Sequence, residues 1–195
     1  MPRVVDRGER KRHIARTALR ILQTEGPAGV TLRRIAEDLG GSITLVTHFY
    51  GSRDELMEAV LEAAFADYEV ELERLERGAD ARERLLILVQ WMLPLDEEGR
   101  LQEKGRLLML GQLGPDPAVR RFVDAMEARM TGLLRQHLSP LVPATEVDGM
   151  VDVLRVMTNG MALSVVERGE RWPASHQRAT LNAVVAALGL DVPAG

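Results

Sequence analysis

Apolar residues recur at three- and four-residue intervals almost throughout this 195-residue chain, and nowhere do apolar and polar residues alternate long enough to build a strand. An all-α fold follows, and the punctuation divides it. Ile14, Ala15, Ala18, Leu19 and Leu22 share one face of a first helix, which Gly26-Pro27 should stop. Thr31 is a good N-cap for a second helix that turns Ile35, Ala36 and Leu39 inward and ends at Gly40. Ser42 is placed to cap a third, very short helix through Phe49, with Val46 as its buried anchor. A fourth opens at Ser52 and runs to Arg77 before Gly78; Asp54, Glu55 and Glu58 stand where carboxylates favour the positive end of a helix dipole. Further on, spacing and prolines predict helices near 81–93, 97–110, 118–138, 146–168 and 174–188, about nine in all.

A chain that is 46% hydrophobic and 28% charged suits one or two globular domains. Charge-free stretches such as 85–95 and 156–166 run 11 residues, short of the roughly 18 to 20 that cross a membrane, so no membrane segment is expected. Met1-Pro2-Arg3-Val4-Val5-Asp6-Arg7 leads into charge, unlike a secretory signal. Without cysteine there is no disulfide framework, thiolate zinc site or thiol nucleophile, and the expected compartment is the cytoplasm. The net charge of −4 conceals a split. Residues 1–53 carry ten Lys and Arg against five Asp and Glu, a net of +5, while the remaining 142 carry fifteen against twenty-four, a net of −9. That asymmetry suits a polyanion-facing segment on an acidic body, although a solvated surface of uneven charge gives the same sums.

The most informative stretch is 32–50, Leu-Arg-Arg-Ile-Ala-Glu-Asp-Leu-Gly-Gly-Ser-Ile-Thr-Leu-Val-Thr-His-Phe-Tyr. It reads as helix, tight turn, helix. Ala36 is small where the helices would cross, Gly40 can take a left-handed conformation at the turn, and Val46 can pack the second helix back on the first. These are the spacings a DNA-binding helix-turn-helix needs.

From about Arg10 to Phe65 the chain resembles the N-terminal domain of the TetR family of bacterial transcriptional regulators. The likeness is carried by the apolar face of helix one, Thr31, Ile35-Ala36, Leu39-Gly40, Ser42, Phe49-Tyr50 and Ser52-Arg53-Asp54-Glu55-Leu56. Within that family, Thr47-His48-Phe49-Tyr50-Gly51-Ser52-Arg53 is similar to the version seen in choline-responsive osmoprotection repressors. Two departures stand out. Thr44 and Thr47 replace a small residue and a tyrosine that often touches the DNA backbone, and Arg53 replaces the usual lysine.

By position in the motif, the resemblance implies base-edge roles for Ile43, Thr44 and Thr47, with Arg33 able to reach a guanine or a phosphate. Thr31, Ser42, His48 and Arg53 would hold the DNA backbone. Tyr50 reads as packing, and Arg10-Lys11-Arg12 as either a solvated helix start or a basic arm along the minor groove. The implied organisation is a flexible basic arm over 1–9, a DNA-binding domain over 10–58 with its motif at about 31–50, and a ligand-sensing and dimerisation domain over 59–195. A homodimer would form through about 149–168 and 174–188, where small and aliphatic runs suit close helix approach, and it would demand a near-palindromic double-stranded operator.

Candidate effector-lining residues are Phe65, Tyr68, Trp91, Met92, Met109, Gln112, Phe122, Met126, Met157 and Met161, each also an ordinary core residue at helical spacing. As a set they favour a medium-sized, largely apolar small-molecule effector. No cofactor, metal or catalytic residue is expected: His13, His48, His137 and His176 lack metal-ligand spacing, and there is no phosphate loop or nucleophile elbow. The reading is therefore a ligand-responsive regulator, a repressor by family habit, and not an enzyme. The alternative is an all-α small-molecule binding or adaptor protein without specific DNA binding.

Overall fold

The computed structural model describes residues 7–111 and 116–190. They form nine α-helices: α1 (Arg7–Glu25), α2 (Leu32–Asp38), α3 (Ile43–Thr47), α4 (Arg53–Leu75), α5 (Ala81–Trp91), α6 (Glu97–Leu110), α7 (Pro117–Leu138), α8 (Val147–Arg168) and α9 (Ala174–Ala187), with a 3-10 turn at Gly169–Arg171. The all-α expectation holds among these residues, and α5 to α9 end within two residues of the bounds read from periodicity. Differences fall at the short elements. α1 already includes Arg7, Gly8 and Glu9, assigned above to an arm whose first six residues lie outside the described ones. α3 stops at Thr47 rather than Phe49, and Ser42 occupies its N-cap position without a side-chain cap hydrogen bond. α4 stops at Leu75, two residues before the expected end. A capping box, not anticipated from the sequence, starts α5: the Asp80 carboxylate accepts from the Arg82 and Glu83 amides at 2.8 and 2.9 Å, and Glu83 accepts from the Asp80 amide at 2.8 Å.

Packing divides the chain into two compact units, Met1–Glu69 with Lys104–Met126, and Val70–Glu103 with Glu127–Gly195. In the first, Ile14, Ala18, Ile21 and Leu22 of α1 meet Ile35 and Ala36 of α2, Val46 of α3, and Leu56, Met57 and Val60 of α4 in one buried cluster. Met109 of α6 and Ala118 and Phe122 of α7 complete it, so residues far along the chain share the core of the first three helices. α6 approaches the end of α1 so closely that a Cβ on Gly105 would lie 2.3 Å from the Gln23 carbonyl oxygen.

The second unit is centred on Leu85, Leu88 and Val89 of α5, Leu134 and Leu138 of α7, Val151 and Leu154 of α8, and Leu181 and Val185 of α9. Inside it lies a polar knot. His137 Nδ1 bonds the Leu133 carbonyl at 2.8 Å, its Nε2 lies 2.6 Å from Glu76 Oε1, and Arg84 reaches Glu76 Oε2 at 3.0 Å. By length and a mean hydropathy of 1.2, Val147–Arg171 is apolar enough to cross a membrane. Its apolar residues nevertheless split between this core and an exposed stripe of Val153, Val156, Leu163 and Val166.

Candidate nucleic-acid interface

The turn between α2 and α3 is built by glycine. Gly40 has φ +63°, a left-handed conformation that side chains with a Cβ avoid. Its amide bonds the Glu37 carbonyl at 3.1 Å and the Gly41 amide the Ala36 carbonyl at 2.9 Å, the pair of bonds that closes a Schellman motif. α2 starts with equal definition, since Thr31 Oγ1 accepts from the Arg34 amide at 3.1 Å. Val46 is completely buried against the core, and this single anchor sets the rotation of α3 about its axis. Ser42, Ile43, Thr44, Thr47 and His48 consequently face solvent together, with Ile43 47% exposed although it is a large aliphatic residue. Arg33 joins them from α2, its guanidinium 2.9 Å from Glu37 but its side chain 81% exposed. Thr31 is also exposed.

Arg53 departs from this pattern. Expected from the resemblance to hold phosphate, it spends Nη1 on the Val30 carbonyl at 2.7 Å, Nη2 on the Pro27 carbonyl at 3.0 Å, and Nε on Asp116 Oδ2 at 3.1 Å. Its guanidinium is thus bonded to three oxygens of the protein itself. The signal could not have been found locally, because Asp116 lies 63 residues away.

Tyr50 closes the motif from inside. It is 2% exposed, its hydroxyl donates to the Lys11 carbonyl at 2.8 Å, and Lys11 Nζ sits 5.1 Å from the ring centroid while pairing with Glu55 at 3.2 Å. The Gly51 amide and Lys11 hold the Glu55 carboxyl below its usual range. Burial, with Glu55 adding to it, pushes the Tyr50 phenol from 10 up to about 12. The folded state thus favours the protonated phenol, so this part of the stability is complete below pH 10 and drains away as pH rises through about 12. Tyr50→Phe should cost about 1 kcal/mol near neutrality, for the removal of one hydrogen bond, and should abolish that part of the alkaline loss. Urea denaturation at pH 7 and pH 11 measures both effects; equal pH dependence in the two proteins would refute the assignment.

The candidate effector residues divide between the two units. In the first, Phe65 and Tyr68 meet edge to face with centroids 6.2 Å apart, Met109 and Phe122 are core, and Met126 packs against that core. In the second, Met161 belongs to the buried core, and Trp91, Met92 and Met157 pack against that core, with Trp91 Nε1 3.4 Å from Glu71 Oε2. Gln112 lies outside the described residues. The helices expected at a subunit interface carry the exposed apolar stripe of α8 and, on α9, a shallow depression of about 610 Å³ lined by Pro173, Ser175, His176, Ala179, Thr180 and Ala183.

A short helix fixed by one buried valine, presented across a glycine turn with its polar face bare, defines a helix-turn-helix DNA-binding regulator. Residues 14–60 match the family model described as bacterial regulatory proteins, tetR family, and residues 81–190 match that of the BetI-type transcriptional repressor, C-terminal. The chain belongs to the TetR family of bacterial transcriptional regulators. It is 24% identical over 162 residues to the HTH-type transcriptional regulator BetI of Rhizobium meliloti, covering 83% of this chain and 80% of that one. A transcriptional regulator from a Rhodococcus species has the same fold, with TM-score 0.76, 20% identity and coverage of 94% of this chain and 99% of that one. So does a transcriptional regulator from Saccharomonospora viridis crystallised in complex with choline, with TM-score 0.74, 24% identity and coverage of 92% and 96%.

Proposed function

We propose that the protein is a cytoplasmic, homodimeric repressor that reads a near-palindromic operator through α3 and releases it when a small effector binds its C-terminal body. The observation that carries this is the shared exposure of Ile43, Thr44 and Thr47 on a helix whose anchor, Val46, is buried in the core of α1, α2 and α4. Those three side chains read base edges: the Ile43 side chain and the threonine methyls suit thymine methyls, and the threonine hydroxyls suit polar edges. Thr31, Ser42 and His48 hold phosphates, and Arg33 takes a guanine or a phosphate. Residues 10–58 form the DNA-reading domain and 59–195 the sensing and dimerisation domain. One short helix reads too few base pairs to bind tightly, so a second copy is required, and the α8 stripe of Val153, Val156, Leu163 and Val166 is the apolar surface that a twofold partner would cover.

The effector occupies the body and acts by preferring one conformation of it, a coupling typically worth about 5- to 150-fold in operator affinity. Choline is the first probe, because the BetI-type model spans 81–190 and a structural neighbour holds choline. The test is selection of genomic fragments by the purified protein, followed by affinity measurements on the winner. A near-palindromic site is expected, bound about 10³-fold or more tightly than random DNA. Thr47→Ala should shift base preference at fixed positions in both half-sites, changing affinity for the selected site by about 1 to 3 kcal/mol. Selection of no common sequence would favour an all-α binding protein without specific DNA recognition.

A further inference from the structure

The Arg53 guanidinium has five N–H donors in a rigid fork, and three hydrogen bonds to three oxygens hold it, to Val30 O at 2.7 Å, Pro27 O at 3.0 Å and, from Nε, Asp116 Oδ2 at 3.1 Å, with Nη2 also in ion-pair contact with Asp116 Oδ2 at 3.0 Å. Those oxygens belong to two other parts of the fold. Pro27 and Val30 form the connection from α1 to α2, immediately before the Thr31 cap, and Val30 is itself buried in the core. Asp116 opens α7, its other oxygen accepting from the Ala118 amide at 2.9 Å. Arg53 itself is the first residue of α4. Alongside it Asp54 pairs with Arg121 of α7 at 2.5 Å, an exposed contact of smaller consequence.

A lysine could not do this. Its ammonium is a single point with three donors, whereas the three acceptors here lie around a fork that only the guanidinium spans. We propose that Arg53 is a positioning residue and not a phosphate-binding one. It ties the α1–α2 connection and the first turn of α7 to the head of α4, and through Thr31 and α2 it sets where α3 stands. Asp116 is its indispensable partner, because the carboxylate both starts α7 and orients the fork. The idea rests on the operator-reading function proposed above for only one of its two readouts.

The experiment uses the full chain with Arg53→Lys, Arg53→Gln and Asp116→Asn. Asp116→Asn is close in shape and keeps an oxygen for the α7 cap, and Arg53→Lys keeps the charge, so each should fold. The first readout is amide hydrogen exchange of Gly29, Val30 and Thr31 in the free protein, whose amides bond carbonyls within the same connection. All three variants should exchange there about tenfold faster as the connection opens locally. The second is operator affinity across a salt series. The clamp predicts affinities weaker by about 5- to 20-fold in all three with the salt slope unchanged. A phosphate-binding role predicts the reverse. Arg53→Gln would flatten the slope by about 0.9 for each phosphate left unneutralised, Arg53→Lys would bind normally, and Asp116→Asn, which removes a negative charge, would bind no worse. That pattern, or wild-type exchange in Asp116→Asn, overturns the proposal. Were the wild type to select no operator, the regulatory reading would fail, yet the exchange measurement would still decide the clamp.

Discussion

Gly105→Ala should destabilise the protein by about 3 kcal/mol or more, the upper end of the cost of overpacking, whereas Gly132→Ala should stabilise it by up to about 1 kcal/mol. Both glycines lie inside helices, where alanine is intrinsically the better residue. What separates them is the space around the missing Cβ. At Gly105 it would stand 2.3 Å from the Gln23 carbonyl oxygen and 2.8 Å from that residue's carbonyl carbon and Cα, all backbone atoms that no rotamer change can move. α6 would have to withdraw from α1, pulling Met109 out of the core it shares with Ile14 and Ile21. At Gly132 nothing lies within 4 Å, so only the helix propensity changes. Urea denaturation of the two variants provides the check. Equal shifts would mean that α6 and α1 do not meet backbone to backbone. Because α1 supports the helix-turn-helix, Gly105→Ala should also weaken operator binding.

The second large effect is expected at His137. The ring is 4% exposed, with both nitrogens facing oxygens: the Leu133 carbonyl, which can only accept, at 2.8 Å, and Glu76 at 2.6 Å. Nδ1 must therefore donate, and a proton lies between Nε2 and the Glu76 carboxyl. His137→Ala removes that donor and leaves a carboxylate only 8% exposed, held by Arg84 alone. Breaking a buried pair in this way costs about 3 to 5 kcal/mol, and the remaining arginine places this case at the low end. Replacing both members, His137→Leu with Glu76→Leu, should cost less than the single change, since no buried charge is then stranded and Arg84, 45% exposed, can turn to water. Chemical denaturation of the single and double variants distinguishes an interaction that stabilises the unit from one that merely satisfies itself. A double variant worse than His137→Ala would contradict the argument.

Most of the helices are legible in the sequence because their signals are local. Thr31 as a cap, Gly40 at the turn and Val46 as an anchor act through neighbours a few residues away, and each does in the structure what its position suggested. The same locality explains the misses. Ser42 has the right type and position for a cap, yet its side chain makes no cap bond. Arg53, which the resemblance placed against the DNA backbone, bonds Asp116, a residue 63 positions away that no local pattern connects to it. His137 showed no partner within metal-ligand spacing, and its partner, Glu76, is 61 residues away. The methionines and aromatics singled out as one effector set fall into two units, which periodicity along a chain has no means of separating.

The all-α class, the order and approximate bounds of the helices, the helix-turn-helix and the face that α3 exposes can all be read from the order of residues. Backbone hydrogen bonding, capping and helical periodicity are short-range, and a single motif contains everything they need. Only the packed molecule reveals that Met109, Ala118 and Phe122 complete the N-terminal core, that α6 meets α1 through a residue without a side chain, and that Arg53 is already bonded. Those outcomes depend on which surfaces pack together after long loops have closed. Distance along a chain carries almost no information about that.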